Sequence, residues 1–192
     1  MPLEQRPGDD QAALLARFVA GDRHAAEALT DLIAPRILRF AARMLGDLAE
    51  AEDVTQEAML RLWRMAPDWQ SGAAQPATWV YRVAANLCTD RLRRRRKMLH
   101  EVPELPDTSP SQHAQMMQTA RIQALEAALS QLPERQRQAV ILRHLEGMSN
   151  PEIAAIMMLG VEAVESLTAR GKRNLSAILA GDREALGYDD DD

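Results

Sequence analysis

Cysteine is nearly missing from this 192-residue chain, where Cys88 stands alone. That excludes an internal disulfide and any cysteine-pair metal site, as expected of a protein kept in a reducing cytoplasm. Aromatic residues make up only 4%, while Ala, Leu and Met are plentiful, a balance that favours helices packed on helices. No apolar run approaches the ~20 residues needed to cross a bilayer, so no membrane insertion of its own is expected. The start, Met1-Pro2-Leu3-Glu4, does not read as a signal peptide. Strand character is lacking too, since no segment alternates apolar and polar residues at period two with β-branched content. The histidines His24, His100, His113 and His144 have no ligand spacing to one another. With no Gly-rich phosphate loop either, neither a metal, a cofactor nor enzymatic chemistry is expected.

What the chain does have is charge, sharply segregated. The formal net charge is −5. Yet every residue from Arg91 to Lys97 except Leu92 is basic, whereas Glu101 to Asp107 and Asp189 to Asp192 are acidic. A basic island on an acidic chain can bind nucleic acid locally. This island closes a stretch, Thr78 to Lys97, that the periodicity predicts as one helix. Val80, Val83, Ala84, Leu87, Cys88 and Leu92 share its apolar face, and Trp79, Arg82, Asn86, Thr89 and Arg93 gather opposite. An aromatic, an amide and guanidinium groups on one strip can stack bases and hold phosphates.

The rest of the chain reads as an all-α protein of two small helical domains joined by a flexible linker. Residues 10–100 form the first, 101–119 the linker, 120–180 the second, and 181–192 an acidic mobile tail. In the first domain, helices are expected over Asp10 to Ala20, Asp22 to Leu45 with a bend or break near Pro35, and Leu48 to Ala66. Gly46 would end one helix and Asp47 cap the next. On Leu48 to Ala66, the apolar side (Ala51, Val54, Ala58, Leu62, Met65) opposes Asp53, Gln56, Glu57, Arg61 and Arg64, with Leu60 in their midst. An apolar centre in a polar rim has the makings of a docking face, although a solvated surface with one stray leucine would look the same.

The second domain is expected to hold helices over Ala120 to Leu132, Glu134 to His144, Pro151 to Met158 and Val161 to Leu179. Ser149 and Glu152 make a capping box, and Pro151 suits a first turn. Leu159-Gly160 then gives a tight turn before a longer helix, which is the helix-turn-helix pattern. On that longer helix Val161, Val164, Leu167, Leu175 and Ile178 would face a core, leaving Glu162, Glu165, Ser166, Ala169, Arg170 and Arg173 exposed. Serine and arginine can reach purine edges, and a carboxylate can accept from cytosine.

Three segments in order, Ala51 to Trp63, Trp79 to Arg93 and Leu132 to Arg143 with the helix-turn-helix behind it, resemble the extracytoplasmic-function family of bacterial RNA polymerase sigma factors. The resemblance implies that the first domain docks on the polymerase clamp and melts the −10 promoter element. The second would place its helix-turn-helix on the −35 element and touch the polymerase flap. It assigns Asp53, Gln56, Glu57, Leu60, Arg61 and Arg64 to the polymerase. The −10 strand would fall to the loop from Gln70 to Ala77 and to Trp79, Arg82, Asn86, Thr89, Arg93, Arg94, Arg96 and Lys97. The −35 duplex would fall to the exposed arc of the last helix, with Ser166 and Arg170 at the major groove. Promoter DNA, core polymerase and an anti-sigma factor are the partners so implied. Glu165, Leu167 and Thr168 depart from the family's usual residues, and Gly171 inside the long helix costs roughly 1 kcal/mol relative to Ala. The main alternative is a self-sufficient helix-turn-helix regulator whose amino-terminal half serves as a sensor or dimerisation domain.

Overall fold

Asp22 starts a helix of 23 residues: its carboxylate accepts the His24 and Ala25 backbone N–H groups. The computed structural model describes residues 7–69, 75–99 and 116–185, and every element among them is helical. The helix from Asp22, α2 (Arg23–Leu45), follows α1 (Pro7–Val19) and ends at Gly46, whose φ of 67° lets its N–H return to Ala42 O at 2.8 Å. Glycine adopts that left-handed conformation without a Cβ penalty. Asp47 caps α3 (Leu48–Met65) immediately afterwards by accepting Glu50 N at 2.9 Å, so α3 folds back along α2.

Pro35 does not break α2, which runs through it as one helix. In an isolated helix the proline would cost ~3 kcal/mol. Here Leu29 and Ile33 before it, and Ile37, Phe40, Ala41 and Met44 after it, are all buried and hold the axis on both sides.

Helix α4 (Pro76–Leu99) completes the first domain after a 3-10 turn at Ala66–Asp68. Its buried face is broader than the periodicity suggests. Val80, Ala84 and Cys88 are buried as expected, Tyr81 and Ala85 join them, and Val83, Leu87 and Leu92 sit half-buried at the margin. The difference has a physical cause: α4 packs not only on α2 and α3 but also on a helix of the second half. The Tyr81 ring meets Phe40 edge-on at 5.5 Å. Burial pushes the Cys88 thiol up to about 12, the mark of a structural rather than a reactive sulfur.

The second half begins with α5 (Met116–Gln131), whose first turn overlaps the expected linker. Of the rest of that linker, residues 101–115 lie outside the described residues, as do the tail from residue 186 and the loop from Gln70 to residue 74. Helix α6 (Glu134–Val140) passes directly into a π turn, Ile141–Leu145, in which Glu146 N bonds Ile141 O at 3.0 Å. The capping box opens α7 (Asn150–Met157) as expected, with Ser149 N donating to Glu152 Oε2 at 2.8 Å. The Ser149 hydroxyl, and then that backbone bond, hold the Glu152 carboxyl below its usual range.

A tight turn leads into α8 (Val161–Ala185), as expected. Met158 takes the left-handed conformation, at φ 54°, and Leu159 N closes the turn on Ala154 O at 3.1 Å. Val161, expected in the core, is 40% exposed, and the burial begins at Val164.

Gly171 proves to be a packing requirement. A Cβ there would lie 2.6 Å from Val140 Cγ2 and 3.1 Å from Gln136 O, so α6 and α8 approach too closely for any side chain. Replacing Gly171 by Ala should therefore destabilise the protein by ~1–3 kcal/mol through overpacking. Helix propensity alone would instead favour alanine by ~1 kcal/mol. Urea unfolding of Gly171→Ala separates the two, and a raised midpoint would refute the close approach.

Candidate functional site

On α3, Asp53, Gln56, Leu60, Arg61 and Arg64 are exposed and Glu57 is half-buried. Glu57 Oε1 accepts Arg61 Nε at 2.7 Å, and that guanidinium holds the Glu57 carboxyl below its usual range. Leu60, 41% exposed, is not a stray leucine. It forms one lip of an apolar groove between α2 and α3 that also draws on Thr30, Ala34, Leu38, Met59 and Trp63. Trp63 is braced from below by Phe18, ring centroids 4.8 Å apart. Periodicity on α3 alone could not reveal the groove, because Thr30, Ala34 and Leu38 of its wall come from α2. Charged residues around an apolar groove suit the docking of a helix.

The strip on α4 is less uniform than its sequence suggests. Trp79 is half-buried and stands edge-on to Trp69 at 6.3 Å, a partner the sequence pattern did not single out. Asn86, Arg93, Arg94, Arg96 and Lys97 are exposed, whereas Arg82 and Thr89 are half-buried. Gln70 lies outside the described residues.

Within the basic run the arginines divide by direction. Arg95 donates to Leu45 O at 2.9 Å and pairs with Glu50 at 2.8 Å. Arg91 faces Glu50 and Asp53 at 3.8 and 3.9 Å. These two, one turn apart, hold α4 against α2 and α3. Arg93 pairs with Asp90 at 2.6 Å and Arg96 with Glu134 at 2.8 Å. Arg94 and Lys97 have no ion pair among the described residues and present their charge to solvent.

On α8, Glu162, Glu165, Ser166, Ala169, Arg170 and Arg173 are all exposed, and a 100° step per residue gathers them on one side. Asn150, at the start of α7, donates to Glu165 Oε1 at 3.1 Å. Arg170 Nε donates to its own helix at Ser166 O, 3.2 Å. Arginine and serine beside a tethered carboxylate offer donors and an acceptor to base edges. Among the described residues no cluster of His, Cys, Asp and Glu could hold a metal, and no helix is long and apolar enough to cross a membrane.

Known proteins share this arrangement. The family described as Sigma-70 region 2 matches residues 29–98, and Sigma-70, region 4 matches residues 122–175. The chain is 34% identical over 182 residues to the ECF RNA polymerase sigma factor SigE of Mycolicibacterium smegmatis, covering 91% of this chain and 70% of that protein. It is 33% identical to SigM of Mycobacterium tuberculosis, covering 88% and 84%. The structure of CnrH in complex with the cytosolic domain of CnrY superposes with a TM-score of 0.69 at 26% identity, over 91% of this chain and 99% of that one. The sigma factor RpoE of Bartonella quintana, solved with the anti-sigma factor NepR, shares the fold with a TM-score of 0.67 at 23% identity, over 82% and 98%.

The free cations on α4 supply a test of nucleic-acid contact. Neutralising Arg94 and Lys97 together by glutamine should flatten the log–log salt slope of single-strand DNA binding by about 1.4. Filter binding across a salt series measures it, and an unchanged slope would leave these residues no phosphate role.

Proposed function

Because the chain belongs to the extracytoplasmic-function family of bacterial RNA polymerase sigma factors, we propose a division of labour among its surfaces. Residues 10–100 dock on the polymerase clamp and open the −10 element, and residues 120–180 bind the −35 element and the flap. The stretch between them (101–119) is the linker, and 181–192 the acidic tail. The chain itself is not an enzyme, and phosphodiester chemistry belongs to the polymerase in the cytoplasm where both work.

The observation that carries this reading is the α2–α3 groove lined by Leu60 and Gln56, on a helix that also exposes Asp53, Arg61 and Arg64 and half-buries Glu57. It supports polymerase docking there, and the same apolar groove suits an anti-sigma factor that competes for it. Trp79, Asn86, Arg93, Arg94, Arg96 and Lys97 take one strand. Unstacking a base costs a few kcal/mol, and stacking on an aromatic returns ~1–3 kcal/mol per base. Phosphate contacts of the second domain set its register on duplex DNA, and Ser166, Arg170 and Arg173 of α8 read bases from it. Glu162 and Glu165 repel phosphates, so each reads cytosine or nothing. The two DNA sites are individually weak and gain strength when polymerase holds them in register, since the second contact is then intramolecular.

Replacing Leu60 by Asp places a charge on the groove's lip without touching the core. Association with core polymerase in a pull-down should fall at least about tenfold, the loss of ~1.4 kcal/mol, while the thermal melt by circular dichroism stays unchanged. Undiminished association would remove the groove from the docking surface.

A further inference from the structure

The two helical halves are not merely tethered; they share one apolar core and a set of directional bonds. Phe40, Met44, Tyr81 and Cys88 of the first half belong to the same buried cluster as Leu129, Leu132, Ile141 and Ile153 of the second. At the joint stands Glu146, released from the π turn, with its side chain only 2% exposed. One carboxylate oxygen accepts Arg43 Nη1 of α2 at 2.9 Å, and the other accepts the Tyr81 hydroxyl of α4 at 2.8 Å. Arg137 reaches back from α6 and donates to Met44 O at 2.8 Å, while its other nitrogen binds Ser130 O. Arg96 of α4 pairs with Glu134 of α6 at 2.8 Å.

A buried carboxylate is tolerated only where donors meet it, and both donors of Glu146 come from the other half. The contact is therefore specific rather than a chance collapse of two apolar faces. It also engages the candidate DNA strip. Arg82, Thr89 and Arg96 recur at seven-residue spacing and form one stripe of α4. Arg96 is bonded to the second half, and Arg82 Nε is buried without a partner among the described residues.

Geometry makes this joined form incompatible with promoter engagement. Elements named −10 and −35 lie about 25 base pairs apart, ~85 Å along the duplex at 3.4 Å per pair. A compact chain of this length has a radius of gyration of about 16 Å and measures roughly 40 Å across. We propose that the Glu146 carboxylate, held by Arg43 and Tyr81, is the latch of a closed, promoter-incompetent form that core polymerase opens. The latch itself follows from the joint; that it withholds promoter binding rests on the sigma-factor reading. Closure lowers the apparent affinity of the free chain for a single strand by the fraction that is open.

Small-angle scattering of the free full-length chain tests the latch. The wild-type radius should be near that of a compact chain, and Glu146→Arg or Arg43→Glu alone should increase it by several ångströms with helix content retained. The double variant Arg43→Glu/Glu146→Arg restores the pair with reversed sign and should recover the compact radius. Tyr81→Phe, which deletes one bond and keeps the packing, should give an intermediate value should either charge variant unfold. In parallel, Glu146→Arg should bind a short mixed-sequence single-stranded DNA about tenfold more tightly than wild type if the closed form outnumbers the open tenfold. Radii that coincide in wild type and all variants, or a double variant as expanded as the singles, would overturn the latch. Run-off transcription with core polymerase separates the two claims. Transcripts from every variant with unchanged radii would sink the latch alone, whereas no transcript from any of them would sink the sigma-factor reading and leave the scattering to decide the latch.

Discussion

Helix α4 has to satisfy three surroundings at once. One side buries Val80, Ala84 and Cys88 among α2 and α3, the next presents Tyr81 to the second half of the chain, and the remainder carries a cationic strip outward. Cations crowded three and four residues apart at the end of α4 repel one another. Arg91 and Arg95 relieve that by directing their charge to Glu50, Asp53 and the Leu45 carbonyl. The exposed cations of the run, Arg93, Arg94 and Lys97, are then carried on a fixed rod, and Arg96 is directed to Glu134. Preorganised charge binds phosphate with less ordering cost than charge on a mobile tail.

This arrangement gives physical content to the family assignment. A sigma factor must recognise duplex at one site and a single strand at another, and those tasks call for different chemistry. The α8 arc offers donors and an acceptor for base edges, whereas α4 offers an aromatic, an amide and exposed cations. The α2–α3 groove is apolar and lies apart from both, so docking to protein and binding to DNA need not compete for the same side chains.

Much of this was legible in the chain itself. The all-helical fold, the Asp47 cap, the Gly46 stop and the Ser149–Glu152 capping box are local signals, and each is present in the structure. The two matched regions likewise bear out the resemblance drawn from three ordered motifs. What escaped was set by tertiary contact. Pro35 is carried through α2 by buried neighbours on either side. Tyr81 is buried because its hydroxyl finds Glu146, sixty-five positions away in sequence. Gly171 looked like a weak point in a helix and is instead where α6 comes closest. Met158 takes the left-handed conformation at the end of α7, with Leu159 N closing on Ala154. The groove wall from α2 could not be inferred from the periodicity of α3. The individual contacts with polymerase and DNA belong to surfaces whose partners are other molecules, and intramolecular packing does not assign them.

The account stands or falls on whether this chain confers start-site choice on a polymerase that otherwise lacks it. Run-off transcription with purified bacterial core enzyme on a randomised promoter library asks this directly. The account predicts transcripts that depend on the chain, from templates enriched for two short elements at one fixed spacing. No transcript above the core-only background on any template, with folded chain and active core, would contradict it.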